Sequence, residues 1–113
     1  MFDMATKSLQ ACVMQEMAFA RRARADGNEG RARVCARRAA GWALSVYYER
    51  RTGTKASSSA LSLLHWLQNE EALSEEIRKA AQRLTTRVTA NFKLPFEDDP
   101  LADAQRIIDF VTG

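Results

Sequence analysis

Arg31, Arg33, Arg37 and Arg38 crowd the start of a stretch that reads RARVCARRAAGWALSVYYERR through Arg51. A guanidinium presents a planar fork of donors that matches phosphate, and the chain carries 13 arginines against four lysines. That preference points to contact with RNA or a nucleotide. It also suits the covering of apolar surface, because the long arginine stem packs on hydrocarbon while its head stays wet. Tyr47 and Tyr48 in the same stretch have faces on which bases stack when the rings are exposed, but aromatics at helical spacing commonly belong to a core.

Other chemistry is thinly supplied. His65, the single histidine, sits in SLLHWLQ beside Trp66 and between leucines. It reads as a half-buried structural residue, since a general base needs a positioned partner. Metal binding would need further ligands at suitable positions, and none lies nearby. Cys12 and Cys35 are far apart on apolar helical patterns, which reads as buried thiols in a reducing cytoplasm. Asp99, directly before Pro100, reads as a helix cap, leaving Asp98 as loop charge rather than half of a catalytic pair. Ser57, Ser58 and Ser59 lack a base partner and a nucleophile turn, and no glycine-rich phosphate loop occurs. No catalytic residue, metal or cofactor is assigned.

The elements that must carry the arginines follow from the apolar periodicity. At 113 residues the chain is one domain, large enough for its own core. Its charge of +3 is uneven: seven arginines face two acids from Arg21 to Arg38, and nine acids face six bases from Glu70 to Gly113. No apolar run approaches the roughly 20 residues of a membrane span, and MFDMATKSLQ shows no basic region leading into an apolar one.

Five helices are expected, with no strand. The first runs from about Thr6 to Ala25, with Leu9, Val13, Met17 and Ala20 on one stripe and Gly27 as a left-handed cap. The second fills Glu29 to Arg51 and stops at Gly53. Ser59 caps a third, Ala60 to Asn69. Ser74 begins a fourth through about Asn91, with Glu75 and Glu76 where the helix dipole favours negative charge, and Pro95 ends that path. Asp99-Pro100 opens the fifth, which presents Leu101, Ala104, Ile107, Ile108 and Val111 to the core. Short connections between such helices give an all-α, antiparallel up-down bundle.

On the second helix, Cys35, Ala39, Trp42, Ala43 and Val46 share a broad face that reads as core. A narrower stripe carries Val34, Gly41 and Tyr48. An interior glycine costs about 1 kcal/mol relative to alanine, so a packing reason is expected. Either the helix is central in the bundle or Val34, Gly41 and Tyr48 meet a second copy across a two-fold axis. Arg33, Arg37 and Arg51 occupy one flank, Arg31 and Arg38 another.

The segments GRARVCARRAAGWALSVYYERRTG, SALSLLHWL and LSEEIRKAAQRLTTRVTANFKLPFEDDPLADAQRIIDFV resemble the HEPN family of small helical domains. Ala39 to Ser45 echoes the family's A-A-E-x-A-L-K core, and Leu61 to Leu64 its leucine-rich third helix. Lys93-Leu94-Pro95-Phe96 stands where the family has an R-Y-P-D corner. The departures bear on activity: no arginine precedes His65 at the spacing of the family's ribonucleases, and Gly41 replaces the acidic residue of the second helix. The resemblance therefore implies a non-catalytic, cytoplasmic module that binds RNA, a nucleotide or a partner protein and forms a homodimer. Arg31, Arg33, Arg37, Arg38, Arg87 and Lys93 are its candidate polyanion-binding residues. It further implies a nucleotidyltransferase partner of the kind found in toxin–antitoxin pairs. A divergent metal-independent endoribonuclease toxin and a purely structural bundle are the alternatives.

Overall fold

The computed structural model describes residues 4–86 and 99–112, and these form five helices. They are α1 (Met4–Ala25), α2 (Glu29–Thr52), α3 (Ala60–Gln68), α4 (Glu75–Thr85) and α5 (Pro100–Thr112). No strand occurs among the described residues. The expected all-α bundle is the fold. No helix of the described residues is long and apolar enough to cross a membrane.

Local chemistry sets most helix ends. Gly27 takes φ 80° and Gly53 φ 69°, the left-handed region in which a side chain is disfavoured. Asn28, Ser59 and Ser74 accept the amides of Arg31, Ser62 and Ile77, satisfying donors that the first turn leaves orphaned. Asp99 caps α5 as expected, its Oδ1 accepting the Leu101 amide at 3.1 Å. Pro100 then fills the first helical position, where its missing donor is not needed.

Helix α2 is the centre of the bundle, packing on α1, α3 and α5, while α4 packs on α3 and α5. Its buried side is almost all alanine: Ala32, Ala36, Ala39, Ala40 and Ala43, with Cys35 and Leu44. Small side chains let several helices approach one backbone closely. That closeness corrects the expected core face, because an indole does not fit between such near neighbours. Trp42 is 42% exposed at the edge and Val46 is only half-buried.

Two further expectations are corrected. His65 is exposed, since α3 buries Leu63, Leu64 and Leu67 and the histidine falls outside that arc. Helix α4 ends at Thr85 rather than near Asn91, with Thr86 already extended at φ −70°, ψ 136°. The hydroxyls of Thr85 and Thr86 both bond the Gln82 carbonyl at 2.9 Å, a side-chain competition that favours ending a helix. Pro95, Arg87 and Lys93 lie outside the described residues.

Two ionic ties hold the helices in place. Arg24, at the end of α1, grips Asp99 through two bonds of 2.6 and 3.0 Å and Glu29 through two of 2.9 and 3.1 Å. One side chain thus joins the end of α1 to the starts of α2 and α5. In α5 the fully buried Asp103 accepts two bonds of 2.8 Å from Arg83 and one of 2.7 Å from Arg106. A buried carboxylate is retained only when paired in this way.

Candidate functional site

The structure divides the candidate arginines by their work. Arg33 is 6% exposed, and its Nη2 donates to the carbonyls of Arg83, Leu84 and Thr86. Those are carbonyls at the end of α4, so Arg33 caps a helix from outside and is spent on the fold. Arg37, one turn further along α2, is half-buried with an Nε that has no hydrogen-bond partner. Burial pushes both guanidiniums below the ordinary arginine value, and the charge of Arg37 adds to the effect on Arg33. Arg31 and Arg38 are exposed and have no ion-pair partner among the described residues.

The exposed flank of α2 has its own pattern. Arg31, Val34, Arg38 and Trp42 are all exposed at intervals of three, four and four, which places them on one side of the helix. At 1.5 Å per residue this stripe is about 16 Å long. Arg21 and Arg22 are also exposed, near the end of α1, which a short turn joins to the start of α2. Glu29 is occupied by Arg24, and the more distant Glu49 accepts the Ala56 amide at 3.1 Å. The exposed stripe of α2 is therefore basic with one large ring in it, Trp42.

The Val34–Gly41–Tyr48 stripe is corrected as a free face. An added Cβ at Gly41 would lie 2.5 Å from Ala60 Cβ and 2.9 Å from its Cα, so the glycine admits the start of α3 within the same chain. Tyr48 packs edge-on against Trp66 with centroids 4.9 Å apart, and Tyr47 meets Trp66 and Phe110 at 5.8 and 5.3 Å. Both tyrosines are thereby engaged with neighbouring rings. Val34 alone of the three is exposed, at 45%.

A groove of about 390 Å³ lies between α1 and α5 over α2. Leu9, Val13, Met14, Trp42, Val46 and Ile108 are among the residues that line it. Met14 is 72% exposed. Arg50 and Asp109 add one charge of each sign to the lining. Neither sequence periodicity nor spacing marked this groove, because it arises where α1 and α5, both seated on α2, meet each other only lightly.

No cluster of three or more histidine, cysteine, aspartate or glutamate side chains is placed to hold a metal among the described residues. No family model, curated protein or solved structure matches the chain.

Proposed function

We propose that the chain is a non-catalytic, HEPN-like helical module that binds RNA on the exposed flank of α2. The observation that carries this reading is the unpaired state of Arg31 and Arg38 beside Trp42, among described residues whose other arginines include Arg24, Arg33 and Arg83 committed to structural bonds. Exposed cations with no ion-pair partner among the described residues are groups free to displace counterions from a phosphate chain. The HEPN resemblance supports the same reading, and the free Cys12 and Cys35 support a reducing cytoplasm. The test is polarisation of a labelled single-stranded oligonucleotide at low salt. Wild type binds, and the double variant Arg31→Ala, Arg38→Ala binds at least tenfold more weakly. Equal binding by both proteins would refute the assignment.

The groove favours a second reading, that the module also docks a protein. Its apolar lining and the 72% exposure of Met14 suit a second copy of the chain, and Arg50 and Asp109 supply opposite charges to exchange across a two-fold axis. A nucleotidyltransferase, implied by the resemblance, is the other candidate for that face. Light scattering separates them: a dimer that Met14→Arg converts to monomer assigns the groove to self-association. A wild type monomeric at high micromolar concentration removes the homodimer.

A further inference from the structure

We infer that Trp42 is a stacking platform for an unpaired base of single-stranded RNA whose backbone is held by Arg31 and Arg38. The inference rests on the RNA-binding reading above and names the form of the ligand. Three observations carry it.

Trp42 is the aromatic residue of the exposed α2 stripe, is 42% exposed, and also lines the groove. The rings of Tyr47, Tyr48, Trp66 and Phe110 are in contact with one another instead. An indole face open to water offers a base its π-surface, a contact that works for any base.

The spacing is also apt. Arg38 lies one turn from Trp42 and Arg31 nearly two turns further on, so cations and ring follow one another along a single line. A strand laid along that line meets positive charge at its phosphates and a ring at one base. A duplex would meet only the charges, because its bases are stacked inside and its faces are covered.

Finally, the charge around the ring argues for a nucleic acid rather than a protein. A protein seated on this flank would cover Arg31 and Arg38, for which the fold supplies no carboxylate among the described residues. Covering unpaired guanidiniums is costly unless the partner brings anions in register. A phosphate backbone does so at every nucleotide.

The experiment uses the full chain and a dodecamer of oligouridylate. In a Trp66→Phe background, which leaves Trp42 as the sole tryptophan, saturating oligonucleotide should quench the fluorescence. Trp42→Leu should weaken oligouridylate binding about tenfold, in keeping with the loss of one stacked base. Trp42→Phe should retain most of it. A 12-base-pair RNA duplex should bind Trp42→Leu and wild type equally. Oligouridylate binding that is unchanged in Trp42→Leu and leaves the fluorescence unmoved overturns the stacking role while the arginine reading stands. Absence of any RNA binding by wild type at low salt overturns both. Loss of self-association in Trp42→Leu with RNA affinity intact assigns the ring to the groove and also overturns the inference.

Discussion

Gly41 of α2 and Ala60 of α3 approach so closely that a single added carbon would sit 2.5 Å from the alanine Cβ and 2.9 Å from its Cα. The second distance matters more, because a backbone atom cannot swing aside as a flexible side chain can. Gly41→Ala gains about 1 kcal/mol of helix propensity, but overpacking of this kind costs about 1–3 kcal/mol. The variant should be destabilised on balance, measured by urea denaturation. Adding Ala60→Gly should restore part of the loss by removing the opposing Cβ. An unchanged or higher midpoint for Gly41→Ala alone would show that α3 yields easily.

Arg33 should matter for stability and Arg38 should not. Replacing Arg33 by Met keeps much of the stem but strips the carbonyls at the end of α4 of their donor. Buried acceptors left unpaired cost about 1–3 kcal/mol. Arg38→Met changes an exposed side chain with no partner among the described residues and should lie within about 0.5 kcal/mol of wild type. Paired thermal melts compare the two, and equal losses would contradict the division of labour drawn for α2.

Asp103→Ala should be among the most damaging changes. It removes the acceptor shared by Arg83 and Arg106 and leaves the first of these, 19% exposed in its side chain, without that partner. Breaking a buried pair from one side typically costs about 3–5 kcal/mol, and the partial exposure of both arginines places this case near the lower end. Denaturant melts that move by less than 1 kcal/mol would show the tie to be dispensable.

These positions also show what a sequence makes legible. Helix ends were readable at Gly27, Gly53, Ser59 and Asp99 because a cap depends on its own few neighbours in the chain. The places of Trp42, Arg33 and Asp103 are not legible in the sequence, for the opposite reason. Whether an indole is buried depends on how closely other helices approach α2. Whether an arginine serves a ligand or a helix end depends on what lies some 50 residues away. The arginine cluster makes Arg31 and Arg38 legible as candidate polyanion binders, but their lack of ion-pair partners among the described residues is visible only in three dimensions.

The Arg24–Asp99 tie should give stability a pH dependence in the acid range. Hydrogen bonds from Arg24 hold the Asp99 carboxyl below its ordinary value, against a smaller opposing effect of burial. A carboxyl depressed in the fold contributes fully above its unfolded pKa and loses that contribution as pH falls through the folded one. Asp99→Asn should therefore narrow the stability difference between pH 6 and pH 3 relative to wild type. The effect should be modest, since both side chains are more than a third exposed. Identical pH profiles for the two proteins would remove Asp99 from the acid response.

The RNA-binding claim is tested most directly by the salt dependence of oligouridylate affinity. Each phosphate contact to a single strand contributes about 0.7 to the slope of log affinity against log salt. Wild type should lose affinity steeply between 50 and 200 mM salt, and Arg31→Ala, Arg38→Ala should show a slope shallower by about 1.4. A double variant with the wild-type slope would contradict the account, because Arg31 and Arg38 would then make no contact with the backbone.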